Sequence, residues 1–285
     1  MKYLLNRYLR RAQAEHWAIG QFNFSTLEQL KGIIIAARDL KSPVIVGTSE
    51  GENRFIGLKQ ALSLVKIARD EYRIPIFLNL DHGKDLSYLS GTIRAGYDAV
   101  HIDGSALALE GNIKLTKKIV GLAKGKKIVV EGEVGHIFGG SEVHKGKPFL
   151  DEAEYTDPKI ACEFVKKTKV DSLAILIGNV HGTYDEMPEI DHDRLVSIRK
   201  VVKSYLVFHG GSGFSEMEIE KVIKEGIVKV NINTELRVAW KEAISKAIES
   251  NRNEFKPYKI LEGIPEKVAE VVAYKIKLFG SQNKI

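Results

Sequence analysis

The chain alternates short, continuously apolar runs with longer stretches whose apolar residues recur at helical spacing. Ala18 to Asn23 reads as a first strand. Thr26 to Leu40 follows, with Leu27, Leu30, Ile33, Ile34 and Ala37 on one face of an amphipathic helix. Further strands are expected at 43–48, 76–81, 99–103, 127–133, 172–177, 205–209 and 227–231. The helices between and after them are expected at 58–71, 86–95, 113–124, 158–167, 193–204, 215–225 and 234–249. Strands that stay apolar without alternating are covered on both faces, as parallel strands between helices are. Eight strand–helix units point to a closed (β/α)8 barrel of the TIM type, an α/β fold, with extra helices before residue 18 and after about 257. No Pro/Gly/Ser-rich linker interrupts the pattern, so residues 1–285 are expected to form one domain.

Composition narrows the picture. With 44% hydrophobic and 28% charged residues the chain is ordinary globular material, not a disordered one. The 43 Lys+Arg against 37 Asp+Glu leave a net charge of +6 that is dispersed along the chain, so no nucleic-acid partner is expected. One cysteine, Cys162, excludes an intrachain disulfide and any Cys-rich metal site, and it points to a reducing compartment, the cytoplasm. The first residues lack an apolar run of secretory length, and no run is long enough to span a membrane.

Active residues of such barrels lie where strands run into the following helices. Of the eight histidines, His82, His181 and His209 are each followed by glycine and fall at or just beyond a strand end. Three imidazoles with an open position are a catalytic zinc arrangement. Asp81, Asp103 and Glu133 end neighbouring strands, as further ligands or proton carriers, or as helix caps and lysine partners. Asp81 and His82 are consecutive, so their side chains are expected to leave the strand in opposite directions. His209-Gly210-Gly211-Ser212-Gly213 and Asn231-Ile232-Asn233-Thr234 end the last two strands, where barrels of this kind bind phosphate on backbone amides and a helix N-terminus. Two long loops, 134–157 and 178–192, are expected to cover the site. No lysine ends strands 3 to 7, and Lys229 inside strand 8 is the one left open for an imine route. A metal beside a phosphate pocket suits carbon–carbon cleavage, isomerisation or epimerisation of a phosphosugar.

In order and spacing these stretches resemble the short form of the class II, metal-dependent fructose-bisphosphate aldolases, a family that includes tagatose-bisphosphate aldolases. The likeness runs from Gly20-Gln21-Phe22-Asn23 to Phe279-Gly280-Ser281 and includes Leu80-Asp81-His82-Gly83, Ile102-Asp103-Gly104-Ser105, Glu131-Gly132-Glu133-Val134-Gly135, Gly139-Gly140-Ser141-Glu142 and Val180-His181-Gly182. The resemblance implies a lyase of glycolysis and gluconeogenesis that cleaves fructose 1,6-bisphosphate reversibly to dihydroxyacetone phosphate and glyceraldehyde 3-phosphate. It implies His82, His181 and His209 as zinc ligands, Glu133 as a further metal ligand and Asp103 at a second or alternate metal position. Asp81 would exchange the proton of the aldehyde oxygen, and Glu142, on the long loop, the proton at the ketose carbon. Asn23, Gly182, Gly210, Gly211, Ser212, Asn231, Ile232, Asn233 and Thr234 would bind substrate, with Ser49 and Arg237 at the far phosphate. A homodimer or homotetramer and a monovalent cation, Na+ or K+, are also implied. The chain departs from the family at Gly104-Ser105-Ala106-Leu107 and at Asn179. Asn233 favours fructose over tagatose bisphosphate. Another ketose phosphate is the alternative, and a non-catalytic sugar-phosphate-binding protein would require a lost ligand or a lost Asp81, which the chain retains.

Overall fold

A computed structural model describes residues 3–285; residues 1 and 2, where the stretch read for a leader begins, lie outside it. Eight parallel strands pair in sequence order and close on themselves, β1 with β8. They are β1 (Ile19–Asn23), β2 (Val44–Ser49), β3 (Ile76–Gly83), β4 (Ala99–Ile102), β5 (Val129–Val134), β6 (Ser172–Ile175), β7 (Tyr205–Phe208) and β8 (Ile227–Ile232). The expected (β/α)8 barrel is the observed fold, and strand bounds differ from the expected ones by two residues or fewer.

The helices in chain order are α1 (Leu5–Glu15), α2 (Leu27–Asp39), α3 (Glu50–Ile56), α4 (Leu58–Tyr72), α5 (Leu86–Ala95), α6 (Leu109–Ala123), α7 (Pro158–Thr168), α8 (His192–Val201), α9 (Glu216–Lys224), α10 (Thr234–Ser250), α11 (Pro257–Ile260) and α12 (Ile264–Leu278). The expected terminal helices are α1, α11 and α12. The pattern missed α3, which opens with a reciprocal cap: Glu52 N–H donates to Ser49 Oγ, and Ser49 N–H to Glu52 Oε2. None of these helices is long and apolar enough to cross a membrane.

Alternate strand residues face opposite ways. One set packs outward against the helices, as Val44, Leu78, Val100, Val130 and Phe208 do. The inward set is layered in steps of two residues. Ile19, Ile45, Phe77, Ala99 and Val129 form an apolar floor, sealed from below by Leu5, Tyr8, Leu9 and Ala12 of α1. Two residues further along the same strands stand Gln21, Gly47, Asn79, His101 and Glu131. Two further again come Asn23, Ser49, Asp81, Asp103 and Glu133, at the mouth. The lumen therefore changes from hydrocarbon, through a mixed layer of amides with His101 and Glu131, to an acid-rich mouth over four residues along each strand.

The two long loops are stitched together over the mouth. His181 N–H donates to the Phe138 carbonyl at 2.8 Å, and His144 N–H to the Thr183 carbonyl at 2.8 Å.

Candidate active site

The end of β3 breaks the regular pairing. Leu80 faces Val100 and Gly83 faces Ile102, so two residues, Asp81 and His82, stand opposite the single residue His101. This is a β-bulge, which re-aims side chains. The expectation that Asp81 and His82 point in opposite directions is corrected by it: both line the same cleft. The bulge puts His82 in the left-handed region at φ 47°, which costs a residue with a Cβ roughly 1–2 kcal/mol.

His82 and His209 meet closely. His209 Nδ1 lies 3.1 Å from His82 Nε2. The other nitrogen of each ring faces a carboxylate: His209 Nε2 is 2.8 Å from Glu131 Oε1, and His82 Nδ1 is 3.3 Å from Asp103 Oδ2. An imidazole N–H donated to a carboxylate fixes the tautomer and bares the opposite nitrogen. Two such lone pairs facing each other at 3.1 Å fit a cation shared between them. Burial lowers the pKa of His82, but Asp81 and Asp103 outweigh it and raise the pKa, so the surroundings favour positive charge here. Burial and the neighbouring histidines His82 and His209 push His181 down to about 3, leaving it neutral and able to ligate.

His181 sits one ring further out. Its ring centre is 4.8 Å from that of His82 and 5.9 Å from that of His209. Among the described residues, two donor groups have ligand atoms within 4.8 Å of one another: Asp81, His82, His101 and His209, and then His82, Asp103 and Glu133. His181, on the loop after β6, belongs to neither.

Asp81 is buried. Its Oδ2 accepts from Asn23 Nδ2 at 3.0 Å and its Oδ1 from Asn231 Nδ2 at 3.3 Å. Burial alone would raise its pKa, yet His82, His101 and His209 hold it well below the usual carboxylate range. Asp103 also accepts from the amide and hydroxyl of Ser105 and lies 3.5 Å from Lys84 Nζ, so its local partners and its His82 contact coexist.

The cleft beside these groups has a volume of about 170 Å3, and its walls include Asn23, Ser49, Gly182, Gly210, Ser212, Asn231, Asn233, Thr234 and Arg237. A Cβ at Gly210 would lie 1.8 Å from the Val180 carbonyl oxygen, so only glycine lets β7 turn here. Asn233, at the N-cap of α10, makes no side-chain cap, so the first amides of this 17-residue helix stay open toward the cleft. Gly211 and Ile232 do not line it. The Gly211 amide is taken by the Asn231 carbonyl, and the Ile232 side chain is buried in the strand–helix core. Glu142 is exposed on the loop outside the cleft. Arg237 reaches in but is tied to Glu52 Oε1 at 2.7 Å and to the Ser141 carbonyl at 3.1 Å.

Three residues of the site, Glu131, Glu52 and His101, have no role that the sequence pattern assigns. Glu131 bridges His209 and the buried Lys229, whose Nζ lies 2.7 Å from Glu131 Oε2. Burial raises the pKa of Glu131, and Lys229 with His209 more than reverses this, so the pair is ionic. Lys229 is thus a counter-ion rather than a free amine. Glu52 gathers Asn23, Ser49 and Arg237. His101, fully buried on β4, accepts the His82 amide on Nδ1 at 3.1 Å. Asn179 also finds a role: its Nδ2 holds the His209 carbonyl at 3.1 Å.

The family model for fructose-bisphosphate aldolase class-II matches residues 4–284. A probable fructose-bisphosphate aldolase of Bacillus subtilis (strain 168) is 35% identical over 283 residues, covering 98% of each chain. A sulfofructosephosphate aldolase of Alkalicoccus urumqiensis is 35% identical over 278 residues, covering 97% of this chain and 96% of that protein. The crystal structure of the YdjI aldolase from Escherichia coli K12 matches with a TM-score of 0.83 at 32% identity, over 100% of this chain and 99% of that one.

Proposed function

The chain belongs to the class II fructose-bisphosphate aldolase family, and on that premise we propose that it reversibly cleaves fructose 1,6-bisphosphate to dihydroxyacetone phosphate and glyceraldehyde 3-phosphate in the cytoplasm. His82, His181 and His209 would hold a zinc ion, with Asp103 and Glu133 at a second position; bound there, the metal supplies a Lewis acid for the ketose carbonyl. The observation that carries this reading is the pair of bared imidazole nitrogens 3.1 Å apart beside an ionised, doubly anchored Asp81.

Asp81 takes the proton from the C4 hydroxyl as the C3–C4 bond breaks, and the aldehyde leaves. The electron pair of that bond stays on the ketose fragment, and Glu142 returns a proton to C3 once its loop swings inward. Both oxygens of Asp81 are held by Asn23 and Asn231, so the base is aimed before substrate arrives. The open amides of α10, with Gly182, Gly210 and Ser212, receive the phosphate of the ketose fragment. Ser49 and Arg237 also line the cleft and would receive the second anion. The active form is a homodimer or homotetramer, with Na+ or K+ near the phosphate.

A second reading keeps the chemistry and changes the sugar. A relative 35% identical is a sulfofructosephosphate aldolase, and an arginine at the far end accepts a sulfonate as readily as a phosphate. Comparison of kcat/KM on the fructose, tagatose and sulfofructose phosphates decides between them. Fructose bisphosphate is expected to lead, and either competitor winning by tenfold or more overturns the choice. Loss of activity to borohydride with substrate, but not to EDTA, would instead indicate a lysine imine.

A further inference from the structure

We propose that His101 is a positioning residue for the metal centre, standing in for a missing backbone acceptor at the β3 bulge and so holding His82 in the left-handed conformation that aims its ring. The inference rests on the assignment of His82 as a metal ligand.

In a regular parallel ladder the strand amides lie in the plane of the sheet and bond carbonyls of the neighbouring strands. Between Leu80 and Gly83 the extra residue breaks that ladder, which resumes with Asp103 N–H donating to the Gly83 carbonyl at 3.0 Å. His82, at φ 47°, falls inside that break, so its amide is out of register with the β4 ladder. It donates instead to His101 Nδ1 at 3.1 Å. A buried amide without a partner is costly enough that the twisted backbone would not persist alone.

This bond also determines what the rest of the ring does. Nδ1 accepts, so the ring proton sits on Nε2, which faces Glu133 Oε2 at 3.2 Å. The approach is off the line of a hydrogen bond, and both atoms lack any other partner. Glu133 is therefore drawn toward the centre by a fixed N–H yet keeps an oxygen able to turn. The same Glu133 oxygen lies 3.9 Å from His82 Nδ1. One imidazole thus links the two donor groups, through the backbone of His82 on one side and the carboxylate of Glu133 on the other. A residue that served only to fill the lumen would not need nitrogens in both places.

The two roles separate by substitution. Asparagine places an oxygen near Nδ1, glutamine places an amide near Nε2, and leucine supplies neither. Zinc affinity, measured by competition with a chromophoric chelator, is expected to fall 10–100-fold in His101→Leu, the size usual for residues that orient ligands. His101→Asn should recover most of that loss and His101→Gln little of it. In zinc-free protein the His82 amide should exchange with deuterium at least tenfold faster in His101→Leu and His101→Gln than in the wild type or His101→Asn. Equal zinc affinity and equal exchange across the set overturn the proposal. If His101→Leu does not fold, the contrast between the asparagine and glutamine variants decides alone, and equality there overturns it. A wild-type protein that binds zinc but cleaves no ketose phosphate defeats the functional reading and leaves this test intact, whereas one that binds no zinc defeats both.

Discussion

The floor and the mouth of the barrel lumen lie four strand residues apart and are built on opposite terms. At the floor, Ile19, Ile45, Phe77, Ala99 and Val129 close on α1 without a charged group among them. Each large apolar side chain buried there contributes about 1.5–3 kcal/mol. At the mouth the same strands carry Asn23, Asp81, Asp103 and Glu133, all buried and all acceptors or amides. Burying such groups is unfavourable unless each is paired, and the pairing is dense: Asn79 to Gln21, Gln21 to Asn23, Asn23 to Asp81, Lys229 to Glu131, Glu131 to His209. The stability resides at one end of the lumen and the chemistry at the other. The amide layer between them insulates neither; it carries the hydrogen bonds that aim the acids above.

The largest test of this division is Asp81→Ala. Proton transfer by a placed carboxylate typically contributes about 10²–10⁴-fold, so kcat should fall by that factor. Zinc content should stay at the wild-type level, and the urea midpoint should move less than for the floor variant below. A variant that loses metal or unfolds together with activity would show that the mouth is structural as well as catalytic, and the contrast would fail.

The floor variant is Phe77→Ala. The Phe77 ring is fully buried, with its centre 5.5 Å from that of Tyr8 on α1. Removing a buried phenylalanine costs about 3–5 kcal/mol, and α1 can settle into part of the space, which favours the lower end of that range. The change should appear in urea unfolding at constant m-value, with kcat per folded molecule near wild type. A kcat that drops in proportion to stability would mean that the layers are mechanically coupled.

The two ends were unequally legible in the chain. The barrel was readable because its strands are covered on both faces and so appear as unbroken apolar runs. The rim histidines were readable because each precedes a glycine at a strand end. The third layer follows from stepping by two from Ile19, Ile45, Phe77, Ala99 and Val129, yet the bulge at Asp81-His82 interrupts the step and reverses the expected direction of one side chain. Such a bulge is decided by pairing with β4, across the sheet, and leaves no mark on β3 itself. His101 was passed over for the same reason: it lies inside a strand, away from the rim, and its role exists only relative to His82. Helix α3 could have been found, since Ser49-Glu50-Gly51-Glu52 is a capping-box pattern. The family resemblance implies Ile232 and Gly211 at the pocket, whereas strand alternation turns the Ile232 side chain outward and the Asn231 carbonyl occupies the Gly211 amide.

The smallest effect comes from the shell outside the strands and separates it from the lumen. Tyr97 is buried in the strand–helix core, where its hydroxyl contacts Asn53 Nδ2 and the Leu58 carbonyl. Burial pushes its pKa up to about 12 from an ordinary 10. The folded state therefore keeps the phenol proton more tightly than the unfolded chain does. The stability this lends is fully present below pH 10 and is lost as pH rises from 10 through 12, by about 2.7 kcal/mol at most. Urea unfolding at pH 9 and at pH 11.5 should show that loss in the wild type and a smaller one in Tyr97→Phe, whose stability at pH 9 is itself slightly lower for want of the hydroxyl's bonds. Equal alkaline losses in both proteins would assign the sensitivity to groups other than Tyr97 and would remove this contrast between shell and lumen.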